Sequence, residues 1–335
     1  MEKTQEHPLS EFSEKDQPYE MQLRPSHLQE FIGHSQVKER LDVFINAAKQ
    51  RGDHLGHTLL YGPPGLGKTT LANILAKEMG TNLVVTSGPA LEKAGDLAGL
   101  LTNLQEGDII FIDEIHALPR NIEEYLYPAL EDFTLDLMID SGANARSIQV
   151  SLNPFTLVGA TTRAGLLSSP LRSRFNFVAR LDYYTPKELD EILIRSAKIL
   201  KLNIERDATN EISNRSRGTP RIANNLLKWV RDYVQIKSNG VANKIAVKKA
   251  LDMLAIDHQG LDEMDKKILN VIIQQYSGGP VGIKTLAAAI GEEMQTIEEV
   301  YEPFLMMKGF IKRTMRGREA TKNAYRHLGI EHGSE

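Results

Sequence analysis

The chain has no cysteine among its 335 residues, which excludes disulfide frameworks, thiolate nucleophiles and cysteine-type zinc sites. No apolar run approaches the roughly 18 residues needed to cross a bilayer. The first twenty residues are polar and acid-rich, without the apolar stretch of a signal peptide, so residues 1–20 read as a loose tail and the cytoplasm as the expected location. Internal repeats and low-complexity segments are missing too. The nine histidines show no metal-ligand spacing: His54 and His57 precede an apolar segment and His116 follows a pair of acids. A net charge of −4 excludes a uniformly basic nucleic-acid binder and leaves room only for a local basic site. What remains is a chain of ordinary hydrophobic and charged content, long enough for two or three domains.

The most informative stretch runs from His57 to Thr70. Leu59, Leu60 and Tyr61 read as a short buried strand. The run from Gly62 to Thr69 then fits the phosphate-binding loop pattern G-x-x-x-x-G-K-[ST] at every fixed position. Glycines allow backbone N–H groups to turn toward a di- or triphosphate. Lys68 supplies charge at the β- and γ-phosphates, and the Thr69 hydroxyl suits Mg²⁺. Leu71, Ile74, Leu75 and Met79 recur at helical spacing, with Gly80 as the stop. Strand, loop and helix thus follow in the order a nucleotide site requires, and the helix N-terminus adds partial positive charge.

Asp108–Asp113 carries four consecutive apolar residues and ends in Asp113-Glu114, the pattern of a parallel strand buried on both faces. Ligands collect at the carboxyl ends of such strands, where Asp113 suits the Mg²⁺ shell and Glu114 suits polarising a water. A third apolar strand, Phe155–Ala160, ends in Thr161-Thr162-Arg163. A hydroxyl there either contacts the γ-phosphate or the water, or is a satisfied strand-end group. Between these strands, segments 134–140 and 145–152 alternate around a Gly-containing turn and read as a β-hairpin. Its Leu135, Leu137, Ile139, Ile148 and Val150 supply apolar surface, and a hairpin inserted here is expected to protrude and to dock a partner. Arg172 and Arg174 follow the third strand. In an oligomer an arginine at this place can reach a neighbour's γ-phosphate.

Before the loop, Arg24-Pro25 gives an extended lead-in to a helix over residues 36–49. After Thr185-Pro186 only helices are expected, near 186–200, 208–217, 220–238 and 244–252. Arg221 falls in a first helical turn, where a cation opposes the helix dipole and favours an external anion such as phosphate. The last segment reads as helices over 262–275, 283–290 and 296–307, followed by a hairpin from Gly309 to about Thr321: a winged helix. Lys308–Arg326 holds seven basic residues and one acid, an electrostatic footprint for nucleic acid. The helix before it carries Glu298, Glu299 and Glu302, unlike a base-reading helix, so backbone contacts are expected instead of sequence readout.

Taken in order, Leu23-Arg24-Pro25, Glu30-Phe31-Ile32-Gly33, the loop 62–70, Asp113-Glu114-Ile115-His116, Gly159–Arg163, Ser169–Phe175, Gly218-Thr219-Pro220-Arg221, Gly309–Thr314 and Arg316-Gly317-Arg318 resemble the RuvB family of AAA+ motors. The resemblance covers essentially the whole chain after the tail. It implies an α/β fold in which a P-loop parallel-sheet ATPase domain with an inserted hairpin (21–184) precedes an all-helical lid (185–255) and a winged-helix DNA-binding head (256–335). It implies an ATP- and Mg²⁺-dependent homo-hexameric ring that pulls duplex arms of four-way junctions during branch migration, in recombination and DNA repair, with RuvA and RuvC as partners.

By the same resemblance, Leu23, Arg24 and Tyr184 would line the base and ribose pocket. Gly65, Lys68, Thr69 and Thr70 would hold phosphates and Mg²⁺ opposite Asp113 and Glu114. Either Thr161 or Thr162 would be the first nucleotide sensor and Arg221 the second. Arg174 would be the trans-acting finger, with Arg172 as the alternative. Arg313 and Arg318, supported by Lys312 and Arg316, would touch DNA phosphates, and the hairpin would dock RuvA. Asn176 stands where a glycine usually follows Arg-Phe, and Met294 where a basic residue is expected. A clamp-loader-type switch would share the ATPase and lid without needing a basic head, and a winged-helix regulator would bind DNA sequence-specifically.

Overall fold

Strands rich in β-branched and aliphatic residues, each followed by a helix, assemble into a parallel sheet in this protein, described here from a computed structural model over residues 22–138 and 147–331. The expected tail lies outside the described residues. Among the described residues seven strands occur up to Arg180: β1 (Thr58–Tyr61), β2 (Leu83–Ser87), β3 (Ile109–Asp113), β4 (Thr134–Met138), β5 (Ser147–Ser151), β6 (Thr156–Thr161) and β7 (Phe177–Arg180). Five of them form one sheet in the order β2-β3-β6-β1-β7, every pairing parallel. Ile109 through Ile112 and all of β1 up to Leu60 are buried, because helices cover both faces of a parallel sheet. The Lys68–Met79 helix ends at Gly80, whose φ of 72° permits a left-handed cap.

The predicted hairpin is present as β4 and β5, paired antiparallel with Leu135 opposite Val150 and Leu137 opposite Ile148. It forms its own two-stranded sheet, separate from the five-stranded one. The turn, including Ile139, lies outside the described residues. Leu135 departs from expectation. It is fully buried within the apolar core that contains Leu130, Leu152 and Phe155, so it anchors the hairpin and does not contribute to an exposed face. Ile148 is half exposed.

The described chain forms two compact units. One runs to Ile199 and includes Gly218–Ile222; the other comprises Leu200–Arg217 and the chain from Ala223 onward. In the second unit the helices Arg206–Arg215 and Lys244–Asp252 occur as expected, as does the Pro220–Lys237 helix, whose first residues belong to the first unit. A two-residue parallel pairing of β8 (Asn203–Ile204) with β9 (Val241–Ala242) is an addition to the all-helical reading. Such short pairings carry no periodicity for a sequence pattern to detect.

The winged helix is built from Glu263–Asn270 and its π-helical continuation Val271–Gln275, then Ile283–Ile290, Glu302–Met307, β10 (Ile311–Thr314) and β11 (Gly317–Ala320). Asp262 caps the first helix by accepting from the Asp265 N–H at 2.8 Å. Ile268, Leu269, Ile272, Leu286, Phe304, Leu305 and Ile311 form its core. Arg217, at φ 55°, places its guanidinium 4.1 Å over the Phe304 ring and 3.0 Å from Asp265.

Arg318, one of the expected DNA contacts, is 5% exposed. Its guanidinium pairs with Glu302 at 2.8 Å and Glu298 at 2.7 Å, while its backbone exchanges hydrogen bonds with Val281. The acids on the preceding helix are therefore the counter-charges of the wing. Removing one partner of a buried pair strands the other. Glu302→Ala should weaken the wing by about 3 kcal/mol, seen as roughly hundredfold faster amide exchange across β10 and β11. Arg316→Ala, an exposed neighbour, should leave that exchange unchanged.

Candidate functional site

The loop between β1 and the Lys68–Met79 helix is shaped by glycines at positions where a side chain does not fit. Gly62 has φ 143°, and a Cβ there would lie 2.1 Å from the Leu181 carbonyl oxygen. Gly65 has φ 76° and faces Thr219 and Arg221, with a virtual Cβ 3.2 Å from the Arg221 Cβ. Leu66 is fully buried and anchors the loop's middle. No side chain caps the helix that follows, so its first-turn N–H groups remain directed at the loop. Lys68 is 7% exposed, and its Nζ donates to the Gly62 and Pro63 carbonyls at 2.9 Å each. Burial pushes its ammonium below the ordinary lysine value, while Asp113 and Glu114 act in the opposite sense and Arg221 adds to the lowering. Lys68, Asp113, Glu114 and Arg221 are thus one electrostatic cluster. Thr69 and Thr70 occupy the first helical turn beside it, both partly exposed.

Adjacency of β3 and β6 brings the acids to the two threonines. The Asp113 carboxylate accepts from the Glu114 N–H at 3.0 Å. Glu114 adopts φ 47°, which turns its side chain back toward β6. Its Oε2 accepts from the Thr162 hydroxyl at 3.3 Å and lies 3.2 Å from His116 Nδ1. Thr161 is fully buried. Its hydroxyl meets His116 Nδ1 at 2.8 Å and accepts from the Arg163 N–H at 2.9 Å. Burial pulls the His116 imidazole below its ordinary value, against the pull of Glu114. His116 therefore links Thr161 to the acid that Thr162 meets directly, a role that sequence reasoning missed. The short spacing Asp113-Glu114-Ile115-His116 was the available signal.

A second wall of the site is aromatic. The buried Tyr184 hydroxyl donates to the Leu66 carbonyl at 3.3 Å, and burial raises its pKa above the ordinary phenol value. His34 packs edge-on to Tyr184 with ring centroids 4.6 Å apart, and Phe31 stacks on His34. A Cβ on Gly67 would lie 3.1 Å from the Phe31 ring, so this wall touches the loop directly. Leu23 is buried and its carbonyl accepts from Arg195 at 2.7 Å, while Arg24 is exposed. Phe31 and His34 belong to this aromatic wall in addition to the residues expected from the sequence.

Arg174 is held by contacts within its own chain. Its guanidinium is 3.0 Å from the Glu131 carboxylate, donates to the Pro170 carbonyl at 2.6 Å and lies 4.5 Å over the Tyr127 ring. Arg172 is exposed. The unexpected Asn176 has a local use: its Oδ1 accepts from the His57 N–H at 2.9 Å, at the approach to β1.

In the second unit, Lys312, Arg313 and Arg316 are exposed on the wing. Lys312 pairs with Glu319 at 2.8 Å and Arg313 weakly with Glu298 at 3.5 Å. Arg318 is the buried anchor described above, so the sequence-expected set separates into three outward cations and one inward one. Met294 is 42% exposed. Among the described residues no cluster of three or more His, Asp or Glu side chains could hold a metal by itself, and no helix is long and apolar enough to cross a membrane. One hydroxyl and one carboxylate, Thr69 and Asp113, do fit Mg²⁺, which keeps several waters and shares its shell with substrate phosphates.

Comparison with known proteins gives a consistent result along the chain. Residues 23–181 match the Holliday junction DNA helicase RuvB P-loop domain, residues 184–257 the RuvB AAA lid domain, and residues 258–329 the RuvB C-terminal winged helix domain. The Holliday junction branch migration complex subunit RuvB of Protochlamydia amoebophila is 60% identical over 319 residues, covering 95% of this chain and 96% of that protein. The subunit of the same name from Flavobacterium psychrophilum is 59% identical over 310 residues, 92% and 91% of the two chains. Among solved structures, the Thermotoga maritima RuvB Holliday junction branch migration motor superposes with a TM-score of 0.84 at 53% identity, covering 92% of this chain and 99% of that one. The glycine loop, the acids of β3 and the three matched domains together make this chain a member of the RuvB family of AAA+ branch-migration ATPases.

Proposed function

We propose that the chain works in the cytoplasm as a homo-hexameric ring that hydrolyses ATP between subunits and pulls duplex DNA through four-way junctions. RuvA docks it to the junction and RuvC resolves the product, in homologous recombination and DNA repair. The observation that carries this reading is the gathering of Lys68, Asp113, Glu114 and Arg221 on one glycine loop. On ATP binding, Lys68 exchanges its carbonyl contacts for the β- and γ-phosphates. Thr69 and Asp113 would hold Mg²⁺, which would supply positive charge to neutralise the phosphates. Gly65 and Thr70 present backbone N–H groups to the same oxygens. Leu23, Arg24 and Tyr184 enclose the base and ribose.

Glu114 orients the attacking water. Its contact with the Thr162 hydroxyl supports Thr162 as the first sensor, whereas Thr161 is engaged by His116 and the Arg163 N–H. Arg221 is the second sensor. Arg174 remains the finger, with Arg172 as its alternative. Its own side chain is 18% exposed but its Glu131 partner is 55% exposed, so the carboxylate that holds it is open to solvent and can be exchanged for a phosphate. Lys312, Arg313 and Arg316 contact DNA phosphates, with Arg318 on β11 holding the hairpin in place. Ile148 and Val150 supply docking surface for RuvA, with Leu137 opposite Ile148 in register.

The direct test is ATP-dependent dissociation of a synthetic four-way junction, with and without RuvA. Lys68→Ala should abolish turnover and dissociation; a variant that keeps full activity would contradict the site. Thr162→Val should reduce turnover by about 10²-fold or more while leaving thermal stability near the parent's. Thr161→Val should instead lower stability by about 1–3 kcal/mol, because it leaves buried partners unpaired. Equal effects of both on stability alone would remove Thr162 from the sensor role. Rings mixed from Lys68→Ala and Arg174→Ala subunits should regain turnover where an intact finger meets an intact loop. If only Arg172→Ala subunits behave this way, Arg172 is the finger.

A further inference from the structure

The phosphate-contacting cations leave one residue of the wing without a use. β10 and β11 are in register from Ile311 opposite Ala320 to Thr314 opposite Gly317, so Met315 and Arg316 alone form the connection. Met315 is fully in solvent, with a relative exposure of 107%. The turn beneath it is firmly held. Thr314 donates its hydroxyl to the Gly317 carbonyl at 2.9 Å. Gly317, at φ 143°, sits so close to Val281 that a Cβ would lie 2.3 Å from the Val281 carbonyl oxygen. Next to it, Arg318 is clamped by Glu298 and Glu302. The result is a stiff ribbon whose tip presents one thioether and one guanidinium, with Lys312 and Arg313 exposed just behind.

An apolar side chain held in water at the centre of a cationic tip adds nothing to the fold, yet it gains from any surface that removes it from solvent. The charges around it specify what that surface is. Arg313 and Arg316 flank it, so the partner is anionic at the rim and apolar within. Duplex DNA has that arrangement in its minor groove, where phosphates line the edges and deoxyribose faces form the walls, and where architectural proteins place Met among other apolar wedges.

We propose that Met315 is an apolar contact to duplex DNA. It packs on the sugar walls of the minor groove while Arg316, Arg313 and Lys312 hold the phosphates on either side. This rests on the head being the duplex-binding part of the motor. Since every nucleotide presents the same sugar, the contact adds affinity without reading sequence, as a motor that moves along arbitrary DNA requires.

Salt dependence separates this contact from the ionic ones. Binding of the full-length protein, with a slowly hydrolysed ATP analogue, to a random-sequence duplex would be measured across KCl concentrations for the parent, Met315→Ser, Met315→Leu and Arg316→Ala. Arg316→Ala should reduce the slope of log K against log[salt] by about 0.9 for each engaged head. Met315→Ser should weaken binding by about three- to tenfold at every salt concentration with the slope unchanged, and Met315→Leu should match the parent. A Met315→Ser line superimposed on the parent's, beside the expected Arg316→Ala change, overturns the apolar contact alone. Loss of subunit association with unchanged duplex affinity does the same and assigns Met315 to a protein contact. A parent with no salt-dependent duplex binding overturns the duplex-binding head as well.

Discussion

The position of β6 between β3 and β1 is the constraint on which the catalytic end of the molecule depends, and Gly159 at its centre makes it possible. A Cβ on Gly159 would lie 2.9 Å from the Ile115 Cδ1 and 3.1 Å from the Phe175 ring. Both side chains instead pack over bare backbone. Ile115 follows Glu114, and Phe175 follows Arg174. One missing methyl group therefore lets the segment bearing the acid and the segment bearing the candidate finger settle on the same strand. The P-loop hangs from the neighbouring strand in equally close quarters, with Gly62 against the Leu181 carbonyl. Close approach of backbone to backbone, more than any single polar contact, sets the spacing of the site.

Much of this was legible because the relevant signals are local. The loop pattern, the apolar run into Asp113-Glu114 and the helical spacing after Lys68 each occupy a few consecutive residues, and the structure reproduces them closely. Elements without a clean period stayed hidden. β2 lies at a sheet edge with Val85 59% exposed, β7 has only four residues, the Ala94–Leu101 helix contains two glycines, and Arg120–Glu131 carries Pro128. Each breaks the regularity by which buried faces are recognised.

Direction and burial were harder to read than residue type. Thr161 and Thr162 are chemically alike, but successive residues at a strand end point to opposite sides; one is locked to His116 and the other meets Glu114. Counting charges between Lys308 and Arg326 correctly located a basic wing, but could not tell that Arg318 turns inward. Arg313 and Arg318 stand directly opposite across the ladder, a like-charge pairing that costs energy on its own. Glu298, between them, neutralises both. The acids that looked out of place on a DNA-binding helix are what allow two arginines to share one face. Leu135 is the apolar counterpart, counted as surface until the core around Phe155 claimed it.

The clamp on Arg318 has a kinetic side. A ribbon that is free in solution must surrender conformational entropy each time it seats on a target, and that cost returns as a driving force for release. Here the strand is immobilised in advance by carboxylates of its own unit, so little freedom remains to be lost. Any engagement through the tip is then spared the cost of ordering the strand. A wing that has to engage and release a target repeatedly is served by a shape fixed beforehand.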